Sequence, residues 1–249
     1  MRNNLFTPLQ AGSIALPNRI VMAPMTHSRA DMAGVPGSLV PTYYAQRSGA
    51  GLIISEGTYP SAMGKGYLGT PGLHADAQVA GWKTVTDAVH ARGGQIVAQI
   101  MHAGRIADPS MLPDGATPVA PSAVRPKGQS YTLAGMKDHV TPRALVSLIG
   151  GKGLAYVHVA LFGGPFDYHS SLRPLVQGAY FAGGGLTQQA AEALVVSGQA
   201  DAAVFGAVFI ANPDLPARFR TGAALAKPDQ ATYYAGGDKG YTDYPALAA

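Results

Sequence analysis

Six times along this chain a short apolar run turns polar, or shrinks to glycine, at its C-terminal end. The runs are 20–26 (IVMAPMT), 51–58 (GLIISEGT), 95–105 (QIVAQIMHAGR), 154–160 (LAYVHVA), 179–182 (AYFA, followed by GGG) and 202–205 (AAVF, followed by glycine). Short apolar runs of this kind suit strands buried on both faces, as in a parallel sheet. Helix signals lie between several of them. Ser38 can cap a helix running to Gly49, and Asp76 one in which Val79, Trp82, Val85 and Val89 recur at helical spacing before Gly93 stops it. Thr187 opens a helix ending at Gly198, and Asp214 one with Pro216 in its first turn, where proline is tolerated. Strand, polar end, helix, repeated, calls for parallel strands joined by right-handed crossovers. The expected fold class is therefore α/β, as an open doubly wound sheet or a barrel, with six parallel strands.

In such folds ligands bind at the carboxyl ends of the strands, where loops converge on one crevice. The run 95–105 shows the transition most clearly, with His102, Gly104 and Arg105 crowding its end. Gln99 brings an amide that donates and accepts side by side, suited to an imide or pyrimidine edge. A buried strand with a capped end explains the same residues. Two turns could hold a phosphate: Gly183-Gly184-Gly185 leading into a helix, and Gly206-Ala207 after the sixth run. A plain tight turn is the alternative for the glycine triplet, although paired phosphate turns after the last two strands are common in TIM barrels.

Composition excludes several other classes. With 47% hydrophobic and 13% charged residues, the 249-residue chain has the material for a large core and is not disordered. The absence of cysteine rules out disulfides and thiolate metal sites, and fits a cytoplasmic protein. A net charge of +4, scattered along the chain, is too small for a nucleic-acid surface. The first residues lack an apolar signal core, and no run approaches the roughly 18 apolar residues of a membrane span. The seven histidines form no zinc motif; His158 reads as a structural group on its strand. No serine occupies a nucleophile elbow, so a hydrolase is a poor fit. Residues 105–142, with six prolines, read as a long loop forming a lid or site wall. After them 143–149 is a short helical candidate, and 227–249 a tyrosine-rich closing arm. One domain spans 1–249.

Three separated segments resemble one family. Asn18-Arg19-Ile20-Val21-Met22-Ala23-Pro24-Met25-Thr26 is similar to the first strand of the Old Yellow Enzyme family of flavin oxidoreductases. Gln99-Ile100-Met101-His102-Ala103-Gly104-Arg105 resembles its third strand, and Phe209-Ile210-Ala211-Asn212-Pro213-Asp214-Leu215 the segment after its last. The tail Gly240-Tyr241-Thr242-Asp243-Tyr244-Pro245 fits as well. The resemblance implies a (β/α) barrel with FMN at its C-terminal face, NAD(P)H as hydride donor, and reduction of activated alkenes. By position, Ala23, Pro24, Met25 and Gly57 would line the isoalloxazine. Thr26 would bond near its C4 carbonyl, Gln99 would read its pyrimidine edge, and Gly184, Gly185 and Gly206 would hold the phosphate.

The chain also departs from that pattern. Between Leu145 and Leu154 it jumps from before the third helix to the end of the fifth, as though two strand–helix units, roughly 60–100 residues, were missing. The substrate-gripping His/Asn pair, the proton-donating tyrosine and an arginine beside the flavin ring belong to that part, so no catalytic residue can be assigned. The phosphate-binding arginine after Gly206 is Ala207. An arginine–phosphate pair contributes roughly 1.5–3 kcal/mol, so its loss should weaken FMN about 10- to 150-fold. The sequence thus predicts a TIM-barrel-like fold reduced to six strands, with a thinly covered seam between the third and fourth. It also predicts weakened FMN binding and self-association, the arm laid on a neighbouring copy. The rivals are a non-catalytic deletion product or engineered scaffold, and a phosphate- or sugar-binding module.

Overall fold

The computed structural model describes residues 4–120, 125–140, 143–144, 156–160, 169, 173, 178–234 and 236–247. Its centre is one six-stranded sheet built from the six apolar runs: β1 (Ile20–Met22), β2 (Leu52–Thr58), β3 (Ile96–Ile100), β4 (Tyr156–Ala160), β5 (Ala179–Gly183) and β6 (Ala202–Phe205). The spatial order is β4-β5-β6-β1-β2-β3, and all five pairings are parallel. This is a barrel order, with the last strand beside the first, and the end strands β3 and β4 share no ladder among the described residues. The six parallel strands therefore match expectation; residues 145–155, on which the expected thin cover of the seam depends, lie outside the described residues.

Alternation along each strand sorts side chains between two apolar layers. Val21, Leu52, Ile54, Phe181 and Val204 point inward, and Tyr156 stacks on Phe181 with centroids 4.4 Å apart. Ala11 and Leu16, from the hairpin Leu9–Ala11/Ile14–Leu16, join this inner cluster and close the end opposite the strand C-termini. Ile20, Met22, Ile53, Ala203 and Phe205 point outward against the helices. Each large side chain so buried stabilises the fold by about 1.5–3 kcal/mol.

The helices that the described residues delimit are α1 (Val40–Ala45), α2 (Asp76–His90), α3 (Gln188–Val196), α4 (Ala207–Ala211) and α5 (Leu215–Thr221). On α2, Trp82, Val85 and Val89 are buried as their spacing requires, while Val79 stays 50% exposed. Gln78 rather than Asp76 caps it, accepting from the N–H groups of His74 (2.9 Å) and Ala75 (3.1 Å). Gly93 ends the segment at φ 72°, a conformation that favours glycine. Thr187 caps α3 by accepting the Ala190 N–H at 3.1 Å. Asp214 makes no such cap on α5; its carboxylate takes Arg218 Nε and the Leu247 N–H, both at 2.7 Å.

Three expectations need correction. Residues 105–142 are not simply a loop, for they include the antiparallel hairpin Gln129–Thr132/Gly135–Asp138, formed because the chain reverses around Gly135. Arg143–Ala144 is extended and pairs in parallel with Val119–Ala120 where a helix was expected; 145–150 lie outside the described residues. The arm folds onto its own chain. Tyr241 is fully buried, its ring stacked on Tyr43 at 4.0 Å, and Tyr244 Oη accepts the Asp229 N–H at 2.9 Å. The α1 face it covers is apolar and aromatic, so the arm finds at home the surface a partner was expected to supply.

Candidate functional site

Every barrel strand delivers its C-terminal residues to one end, and there the sheet encloses a cavity of about 810 Å³. That size is within the range of a cofactor or substrate pocket. Ala23, Pro24, Met25, Thr26 and His27, after β1, make one wall. His158 and Ala160 of β4 and the Gly183–Gly185 turn make the opposite one, and Gly206, Ala207 and Val208 a third. Tyr233 and Tyr234 of the arm lie across the mouth.

Seven of the nine sequence-predicted ligand residues thus meet in one cavity: Ala23, Pro24, Met25, Thr26, Gly184, Gly185 and Gly206. Gly57 and Gln99 do not line it. They face each other in register on β2 and β3, but the Met101 thioether covers Gly57, within 2.8 Å of where a Cβ would stand. Methionine is flexible enough to swing aside.

The glycine turns are open. Gly184 and Gly185 have φ of 113° and 72°, and a Cβ on Gly185 would meet nothing within 4 Å. Among the described residues no protein oxygen accepts from the N–H groups of Gly185 or Leu186. A Cβ on Gly206 would come only within 3.7 Å of Ala23 Cβ and Met25 Sδ. This cradle offers backbone donors to an oxyanion, while among the described residues its lining contains no lysine, arginine, aspartate or glutamate. A phosphorylated planar cofactor fits the space and the donors, held without charge pairing. Among the described residues no cluster of histidine, aspartate and glutamate could hold a metal ion.

Sequence reasoning missed the buried polar nest behind the β1 wall. The carboxylate of Glu56 on β2 accepts the N–H groups of His27, at 3.2 Å, and Ser28, whose φ of 55° turns both toward it. Burial pushes this carboxyl up to about 7, and the two N–H groups and Arg29 only partly oppose it. Burial, with Arg47 and Arg29 nearby, drives the His27 imidazole down to about 3. Arg47 is fully buried and donates to the carbonyls of Tyr43 (2.6 Å), Phe209 (3.1 Å) and Ile210 (2.8 Å), tying α1 to α4. Arg29 lies over the Tyr241 ring at 4.0 Å and donates to Thr232 and Tyr233, pinning the arm to the β1 wall. The available signal was charged residues next to strand ends in a charge-poor chain.

Comparison with known proteins agrees with this architecture. Residues 4–145 match the sequence profile described as NADH:flavin oxidoreductase / NADH oxidase family. The chain belongs to this family. Flavin oxidoreductase hxnT of Emericella nidulans is 28% identical over 377 aligned positions, covering 97% of each protein. 12-oxophytodienoate reductase 7 of Oryza sativa subsp. japonica is 29% identical, covering 98% of this chain and 94% of the reductase. The solved structure of morphinone reductase in complex with tetrahydroNAD superposes with a TM-score of 0.90 at 34% identity, covering 98% of both chains. The family profile stops at residue 145, where the Old Yellow Enzyme resemblance also breaks. The hxnT alignment exceeds the chain by 128 positions (377 less 249), so at least that many have no counterpart here. That total exceeds the roughly 60–100 residues of the two strand–helix units expected.

Proposed function

We propose that this protein is an FMN-binding member of the Old Yellow Enzyme lineage with an incomplete reductase site. Ala23, Pro24, Met25 and Thr26 form the wall against the ring, and Gly184, Gly185 and Gly206 supply backbone donors to the phosphate. Gly57 and Gln99 join them once Met101 swings away. When bound, FMN supplies hydride transfer, accepting from NAD(P)H and delivering to the β-carbon of an activated alkene such as those the reductase relatives are named for. The chain's own residues position and desolvate the reactants. The observation that carries this reading is the convergence of the β1 wall and both glycine turns on one cavity of about 810 Å³.

The uncharged lining supports weakened affinity. Two absent arginine contacts of roughly 1.5–3 kcal/mol each would cost about two to four decades. Quenching of FMN fluorescence on titration with protein tests the reading. Saturable binding in the micromolar range or weaker is expected, and Gly185→Val should abolish it by filling the cradle. A second reading, a non-catalytic scaffold, is favoured by one feature: the Met101 side chain over Gly57. It predicts no saturable quenching at all.

A further inference from the structure

One polar atom on the cavity wall waits for a partner. His158 Nε2 is sealed from solvent, and among the described residues nothing bonds to it. His158 stands on β4 in register with Phe181, and its Nε2 lies 2.9 Å from where a Cβ on Gly183 would be. The missing side chain of Gly183 therefore lets the imidazole lie across β5, immediately before the Gly184–Gly185 turn. Burial alone holds this imidazole below its ordinary value, which favours its neutral form. Among the described residues, the titratable groups that share the cavity are His27 from the β1 wall and Tyr233 and Tyr234 from the arm; the β5 and β6 walls contribute none. His27 also has a buried, unpartnered Nε2, but Arg29 and Arg47 oppose any positive charge there. His158 is free of that opposition.

We propose that His158 is a ligand-contacting residue of this cavity, donating through Nε2–H to an acceptor oxygen of the bound flavin and drawing a proton from water onto Nδ1 when that oxygen is anionic. The inference rests on the flavin-binding reading above. The acceptor belongs either to the phosphate or to a ring carbonyl, the two oxygen sources that FMN brings to this wall. In either position a protonatable imidazole supplies the positive charge that the rest of the described lining lacks, and does so only when the ligand is present. This differs from the expectation from sequence, where His158 read as a structural group.

The test is titration of FMN and riboflavin into wild-type protein, His158→Ala, His158→Gln and Gly183→Ala between pH 6 and pH 8. Gly183→Ala keeps the histidine but displaces its ring. His158→Gln keeps an amide donor that does not titrate, and circular dichroism checks that each variant is folded. His158→Ala and Gly183→Ala should bind FMN about 10- to 150-fold more weakly, as for loss of a charge-assisted hydrogen bond. The FMN phosphate itself titrates near about pH 6, so the informative range is above about pH 7. There the wild type should lose affinity with rising pH, by up to about tenfold per unit, while His158→Gln stays flat. An equal loss for riboflavin places the acceptor on the ring, and a loss confined to FMN places it on the phosphate. Folded variants that bind FMN with wild-type affinity and pH slope would overturn the proposal and leave the flavin-binding reading standing. Wild-type protein that binds neither flavin would overturn both.

Discussion

Glu56 and His27 carry opposite pH signatures within one buried nest. Between about pH 4.5 and 7 the folded chain keeps a proton on Glu56 that the unfolded chain releases, so this group makes stability fall as pH rises. Its penalty is complete above about 7 and amounts to roughly 3 kcal/mol. Between about pH 3 and 6.5 folded His27 refuses a proton that the unfolded chain accepts, so this group makes stability rise with pH. In the overlap the two slopes oppose each other. Urea unfolding at half-unit pH steps should show Glu56→Gln gaining stability from pH 4.5 to 6.5 and His27→Phe losing it. Identical profiles for both variants and the wild type would refute the assignment. Arg47 poses a different problem, a fully buried guanidinium satisfied by backbone carbonyls rather than by a carboxylate. Lysine cannot reproduce that fork, so Arg47→Lys should destabilise by about 2–4 kcal/mol in the same assay.

Among the elements, the arm makes the sharpest prediction. Tyr241 is fully buried between α1 and the β1 wall, so Tyr241→Ala should cost about 3–5 kcal/mol, as for other buried aromatics. It should also speed proteolysis at Tyr233 and Tyr234, because Arg29 loses the ring it stacks on. Wild-type resistance in the variant would show that the arm is not held there. The strands were legible because each apolar run ends in small or polar residues, a pattern that buried parallel strands impose. Seven of the nine predicted residues meet in one cavity because they follow strand ends directly. The arm was read as surface-seeking, and Tyr241 meets a surface of its own chain, since composition reveals an aromatic face and not which surface it will meet. The closeness of His158 to Gly183 could not be read for a related reason: the two are one strand apart in space and 25 positions apart in sequence (183 less 158). The Glu56 nest escaped because side chains from β2, α1, the β1 turn and the arm meet only after folding.

At the scale of the whole molecule, the missing segment has two consequences. The first is the seam. Edge strand β3 is partly open to solvent, with Ile100 56% exposed, and the nearby hairpin exposes Tyr131, Leu133 and Met136. Strand edges and apolar surface of this kind are normally covered, so the protein should associate with itself through this side rather than through the arm. Light scattering should report a dimer or larger, and a clean monomer at high concentration would contradict that. The second consequence is chemical: on the reading proposed above, backbone recognition of the flavin would rest on Ala23–Thr26 and the glycine turns, without the charge pairing and proton donation that the resemblance assigns to the missing part. General-acid donation alone typically contributes about 10²–10⁴-fold, so alkene reduction should fail even where flavin is restored. The most direct test is the visible spectrum of the purified protein, followed by cyclohexenone reduction with NAD(P)H in excess FMN. The account predicts a nearly colourless preparation, with at most slow NAD(P)H oxidation after FMN is added. A yellow protein carrying stoichiometric flavin and reducing cyclohexenone at ordinary ene-reductase rates would contradict it.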